Sequence, residues 1–475
     1  MSMRNAAMKS EPSTKDNAEL EAAVARFLVA FAFEDIDGSS LPAVKTLLKD
    51  QLALQIGSAN LPWSREVRRF LRKPRPGAST MVGEAATVDA ADAGYINATY
   101  GHGFEYDDVA GNGHPGCCVV PTALAVGEEL GATLGQVVEA MVAGYEVYVR
   151  VGRLVSPDLV NQGWHPHAVL ANFGAAAVAA KLHQLDAERV QHALAIALSH
   201  ASGTTEYTSS GGSIKRVHAG IAVRNGIESV ELARAGITGP LRYLGGDKGF
   251  FRTFIRRAGE SDAADVFRQV QPLRVRDTWF KAYCCCGAHH AYIDAMTSMQ
   301  GRAADIVGVD ANIQAMTANL AGNTHAHQHG PRNIEELQFG LPLQMALAAL
   351  GKGNGFATHR AFLEGCLPLS EDSDVVQFAR RIRLQRSPDL DERYPRNFVA
   401  DVVIHYQDGT REHIFRDRAK GMPTAPFTPE EHQAKLEELT HEVIGQQQAR
   451  RLFELIDRLD PATPIGELTA LLRRR

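Results

Sequence analysis

No stretch of this chain approaches the roughly 20 consecutive apolar residues that a membrane-crossing helix requires. An excess of positive charge is also missing. Fifty Lys and Arg against 55 Asp and Glu give a net charge of −5, which argues against nucleic acid or another polyanionic surface as partner and leaves room only for a local basic pocket. Cysteine is scarce and badly spaced for disulfides. Of six, five lie in the adjacent runs Cys117-Cys118 and Cys284-Cys285-Cys286, with Cys366 alone, so a reducing cytosol is the expected compartment. The polar N-terminus has no apolar stretch of the signal-peptide kind, and residues 1–16 read as a disordered leader. No internal repeat is present.

What remains is an ordinary globular composition, 45% hydrophobic and 22% charged over 475 residues, long enough for two or three domains. Residues 17–271 read as helical: Leu20–Phe33, Leu41–Ile56, Ala85–Ala98, Cys117–Glu129, a helix capped by Thr133 with Gln136, the Ala-rich Ala168–Leu182, and a helix capped by Asp186. Ile313–Leu320, Val375–Leu384 and Val399–His405 look strand-like, and Asp408-Gly409 marks a hairpin. Residues 272–425 therefore read as an α+β module, with 426–475 helical again and packing back on the first domain. The fold class is mainly α with a smaller α+β lid.

Chemistry concentrates in a few places. In His102–His114, the acids Glu105, Asp107 and Asp108 lead through glycines to His114-Pro115. They can orient bases or bind a metal, and Asp108 can equally cap a helix. His165 opens a helix, where the dipole favours an anion. The Ser/Gly run 209–213 delivers Lys215, Arg216 and His218 to the helix that Gly236 and Gly239-Pro240 end, a setting for an anionic ligand, although a lone lysine is more often a solvated charge. Lys281–His290 holds three cysteines and two histidines but no second Cys/His pair at zinc-ligand spacing. His325, His327 and His329 would share a face if extended, yet the flanking Gly322-Asn323 and Gly330-Pro331 favour an exposed loop.

Taken in order, INATYGHGFEYDD, HPGCCVVPTALAVGE, GWHPHAVLANFGAAAVAAKL, GSIKRVHAGIAVRNGIESVELARAGITGP, KAYCCCGAHHAYIDA and PFTPEEHQAKLEEL resemble the MmgE/PrpD family over nearly the whole chain. That family includes 2-methylcitrate dehydratases, cis-aconitate decarboxylases and iminodisuccinate epimerases. The resemblance implies a cofactor-free homodimer without a bound metal, its site lying between the helical domain and the lid and taking di- or tricarboxylates. It places catalytic roles on Glu105, His114, His165, Lys215 and His290, and substrate binding on Lys215, Arg216, Asp108 and His102. Departures are visible. Glu105 stands where the family has aspartate, Val109 where it has threonine, and Gln338 where a serine is frequent, and the gap before His114 is one residue short.

The expected activity is dehydration of a 2-hydroxy polycarboxylate such as 2-methylcitrate, with Lys215 anchoring a carboxylate and two histidines moving protons. Decarboxylation or epimerisation in the same pocket is the near alternative. A metal-dependent hydrolase using His325, His327 and His329, or a non-catalytic carboxylate binder, would be a different class.

Overall fold

The structure, a computed structural model, describes residues 14–474 except 72, 261, 322–324 and 395–396, with side chains described from Glu19 onward apart from that of Ala321. The expected leader lies outside the described residues except for its last three positions, which open the helix Thr14–Ala30.

Helices fill residues 14–234 because the chain supplies both their starts and their buried faces. Thr133 and Gln136 cap each other's backbone N–H at 3.4 and 2.9 Å and open Leu134–Val155. Asp186 accepts from the Arg189 N–H at 2.9 Å and opens Ala187–His200. The Ala-rich segment expected at 85–98 is helical at Ala90–His102 instead, because Asp89 is the residue whose side chain caps the Asp92 N–H. At the centre lies Pro166–Leu182, apolar on every side and buried from Pro166 to Ala180, as a helix enclosed by others must be. It packs on Leu134–Val155, Ala187–His200 and His218–Arg234. Small residues set how closely these approach: a Cβ on Gly144 would meet Val178 at 2.4 Å, and one on Gly226 would meet Ala175 at 2.5 Å.

The α+β part holds a four-stranded sheet in the order 382–386, 306–313, 400–406, 411–416, the first pair parallel and the others antiparallel. Ala400, Val402, Ile404 and Tyr406 alternate inward, the period-2 pattern of a half-buried strand. Asp408-Gly409 makes the expected hairpin, with Gly409 at φ +84° and Asp408 accepting from the Thr410 N–H at 2.9 Å. Two strand assignments need correcting. The strand ends at Ile313, and 315–321 is a helix. Val375–Leu384 is split into the helix Asp374–Ala379, capped by Ser373, and the strand Ile382–Arg386.

After the sheet the chain returns to the helical part. Thr428 and Glu431 form a capping box for Pro429–Ile444, which lies along Leu41–Ser58. From it Lys435 reaches the fully buried Asp50 at 2.7 Å and donates to the Tyr106 and Lys281 carbonyls at 2.9 and 3.1 Å. One buried ammonium thus ties the returning helix to two segments of the candidate site. No helix of the described residues is long and apolar enough to cross a membrane.

Candidate active site

Three backbone devices bring the charged groups together. The helix Ala90–His102 ends at Gly103, and the chain turns sharply through Glu105, which holds φ +60°, a strained value for a residue with a Cβ. Asp108-Val109 then pairs antiparallel with Trp279-Phe280, which sets Lys281 against the acidic turn. Gly211 and Gly212, at φ +80° and +107°, lead into the 3-10 turn Ser213–Val217, which folds Lys215 inward until it is buried.

Glu105 consequently sits between two lysines. Its Oε1 contacts Lys215 Nζ, and its Oε2 accepts from Lys281 Nζ at 3.1 Å. Lys281 also donates to the Glu105 carbonyl at 3.2 Å and lies 3.7 Å from Asp107 Oδ1. Burial, then the Lys281 and Arg216 cations, push the Lys215 ammonium down from its ordinary range, and the Glu105 carboxylate in contact with it works the other way.

Five histidines pack beside this triad. His102 donates from Nδ1 to Asp107 at 2.7 Å, and His114 donates from Nδ1 to the Asp108 carbonyl at 2.8 Å. The second bond leaves the proton-accepting lone pair of His114 on Nε2. His165 and His218 face each other through Nδ1 at 2.9 Å, and His167 Nδ1 is 3.0 Å from the Tyr148 hydroxyl. Burial, above all, pushes His102, His165 and His167 well below the usual histidine range, lowers His114 as well, and takes His218 to about 4. At neutral pH these rings are uncharged and able to accept protons.

A cavity of about 110 Å³ opens against this cluster, lined by Glu105, His114, His165, His167, Lys215 and Lys281. At about 30 Å³ per water, it has room for a few waters or the core of a small organic acid. The rest of the lining groups the apolar Val109, Trp279, Met316, Leu320, Phe339 and Phe398 with the polar Asn112, Thr205, Tyr207 and Tyr394. The larger groove of about 740 Å³ beside Leu28 and Leu130 has a single lysine and a single histidine, Lys181, which pairs with Glu139 at 3.1 Å, and His183.

Of the residues singled out in the sequence, Glu105, His114, His165 and Lys215 line the cavity, whereas His102, Asp108, Arg216 and His290 do not. Lys215 is no solvated charge. Asp108 is turned away, capping the Gly116 N–H at 3.1 Å beside the Tyr145 hydroxyl at 3.5 Å, and burial raises its carboxyl to about 8. The capping alternative describes its bonding, and Asp108 does not line the cavity. Arg216 is likewise committed elsewhere. It bonds Glu335 at 2.8 Å, Gln338 at 3.0 Å and the Gly103 carbonyl, and lies over Trp63 at 4.2 Å. Gln338, the residue where the family often has serine, also donates to the Phe104 and Cys284 carbonyls, each at 2.9 Å. His102 stands behind the lining as a partner of Asp107, and His290 is buried edge-on to Trp279 at 5.0 Å. The sequence reading passed over Lys281 and His167 as site residues. Lys281 reaches the site only through the pairing of Val109 with Trp279, which no local pattern marks.

Among the described residues two groups place ligand atoms within 4.8 Å of one another, His102 with Cys117 and His167, and His102 with Asp107 and His114. The first fits a cation poorly, because the Lys215 charge already acts on His102. In the second, Asp107 is engaged by His102 and lies beside Lys281. The HAHQH run is in neither group. Ala326–His329 forms a single helical turn rather than a loop.

A large helical domain joined to a smaller α+β domain defines the class of this protein. The chain belongs to the MmgE/PrpD family: residues 22–261 match the MmgE/PrpD N-terminal domain and residues 283–460 the MmgE/PrpD C-terminal domain. It is 26% identical to the cis-aconitate decarboxylase of Aspergillus terreus, over 93% of each chain. It is also 26% identical to the cis-aconitate decarboxylase-like protein oryM of Aspergillus oryzae, over 92% of this chain and 94% of that one. The mouse cis-aconitate decarboxylase is 22% identical over 80% of this chain and 78% of its own length.

Proposed function

We propose that this protein is a lyase that removes CO₂ from a cis-aconitate-like unsaturated polycarboxylate. The observation that carries the reading is the buried Lys215–Glu105–Lys281 triad beside neutral histidines, in a chain that spans its decarboxylase relatives almost end to end. A substrate carboxylate displaces Glu105 from the lysines, and the two ammonium groups hold it in a water-poor space where charge interactions are strong. When the carbon–carbon bond to the leaving carboxylate breaks, its electron pair passes to the neighbouring unsaturated system. A cavity group returns one proton to carbon, so each CO₂ released costs one proton. The Lys215 ammonium is placed to give that proton, since the histidines are neutral at rest and can only pass one on after accepting it.

Dehydration of a 2-hydroxy polycarboxylate is the second reading, favoured by one detail. The free Nε2 lone pair of His114, set by its Nδ1 bond to the Asp108 carbonyl, suits removal of a proton beside a carboxylate. The reading includes a helical body of 17–271 with 426–475, closed by the module 272–425, working as a cytosolic homodimer without a cofactor or metal. Incubation with cis-aconitate, citrate, 2-methylcitrate and iminodisuccinate followed by product NMR tests it. Loss of CO₂ from the unsaturated acid supports the first reading, and water loss without CO₂ release replaces it with the second. No turnover of any of them, or of alkyl-substituted analogues, overturns both.

A further inference from the structure

An apolar group of lining residues has no part in the chemistry just described. A citrate-like polyanion presents oxygens over most of its surface, yet Val109, Trp279, Met316, Leu320, Phe339 and Phe398 offer it no hydrogen bond. Desolvating carboxylates against such a wall is costly.

The wall also continues outward. Val109, Asn112, Trp279, Tyr394 and Phe398 line both the cavity and an adjoining groove of about 590 Å³. The Tyr394 hydroxyl is held by Asn112 at 2.7 Å. The rings of Tyr394 and Trp279 stand 5.4 and 6.4 Å from that of Phe398. Aromatic faces therefore run from the lysine end of the site toward the groove, a path shaped for a chain rather than for another carboxylate.

We propose that the substrate carries an alkyl substituent, its carboxylate end held by Lys215 and Lys281 and its chain laid along Val109, Trp279, Met316 and Phe398 toward the outer groove. The inference rests on the lyase reading only for which bond changes, since a carboxylate with a chain is what the cavity itself selects.

Titration of the full-length protein with succinate and with methyl-, propyl- and hexylsuccinate, followed by calorimetry, tests binding without turnover. Affinity should rise about fourfold per methylene while the chain lies on the wall, and a flat or falling series overturns the proposal. Met316→Asn should weaken hexylsuccinate at least about tenfold more than succinate, whereas Lys215→Met should weaken both alike. Equal losses in Met316→Asn also overturn it. Turnover of cis-aconitate and its alkyl-substituted analogues keeps the two claims apart. Chain-length-dependent binding with no analogue turned over sinks the lyase reading and leaves this one standing. Turnover of cis-aconitate with no gain from any alkyl group does the reverse.

Discussion

The two faces of the cavity are built on different principles. The face supplied mostly by residues 105–218 is a hydrogen-bonded lattice in which His102, His114, His165 and His167 each have a partner between 2.7 and 3.0 Å. The opposite face, from Trp279, Met316, Leu320, Phe339 and Phe398, is held mainly by packing, with the Trp279 indole N–H donating to the Lys420 carbonyl at 3.1 Å. A directional lattice fixes protonation states and the positions of charge, so it governs reactivity. A packed wall adjusts by volume, so it governs which substrate fits. Substitutions on the first face should change rate, and those on the second should change preference.

The largest effect expected is on the first face. Lys215→Met removes a buried charge-assisted donor and leaves Glu105 with Lys281 alone. The kcat/KM for the preferred unsaturated acid should fall about 10²–10³-fold, with the unfolding midpoint less affected. An activity loss no greater than that of a wall variant such as Leu320→Ala would erase the distinction between the faces.

Next comes the fastening between them. Lys435→Met leaves the fully buried Asp50 carboxylate without its 2.7 Å partner and frees the Tyr106 and Lys281 carbonyls. Breaking one member of a buried pair costs about 3–5 kcal/mol, which urea unfolding can measure. The double variant with Asp50→Asn should recover most of the loss, because the unpaired charge goes too.

Acid sharpens the comparison without a mutation. His218 is held at about 4 by burial, while the unfolded chain protonates histidine near 6.5. The unfolded state therefore binds more protons between these values, and stability present above pH 6.5 is lost as pH falls toward 4. For His218 the full loss is about 3 kcal/mol, and His102, His165 and His167 shift in the same direction. His218→Phe should flatten the acid limb of stability between pH 6.5 and 4. An unchanged limb would mean that other groups carry it.

How much of this could be read in the sequence follows from the same contrast. Caps and glycine turns are local, so Thr133, Asp186, Thr428 and Asp408-Gly409 were legible with their roles, as was the motif order that placed Glu105, His114, His165 and Lys215. Arg216 adjoins Lys215 in the chain but points elsewhere. In a 3-10 turn neighbouring side chains diverge by about 120°, so one enters the cavity while the other turns to Glu335 and Trp63. Lys281 and the apolar wall were invisible because they depend on the pairing of Val109 with Trp279 across some 170 positions. Met316 and Leu320 fell in a short apolar run whose period does not separate helix from strand.

The smallest effect concerns the histidines outside both faces. His325 is exposed and His329 lies on the same single turn, where they border an outer hollow reached past Tyr207 and Phe339. His329 Nδ1 is already bonded to the Gly330 carbonyl at 2.8 Å, and neither residue belongs to a group of three or more possible metal ligands among the described residues. A metal-dependent hydrolase would need them. His325→Ala with His329→Ala should therefore change stability by no more than about 0.5 kcal/mol, as surface substitutions usually do. The kcat/KM and the metal content by mass spectrometry should match those of the unsubstituted protein. A stoichiometric ion that disappears with the two rings, taking activity with it, would move the chemistry out of the cavity altogether and leave its two faces as a binding site only.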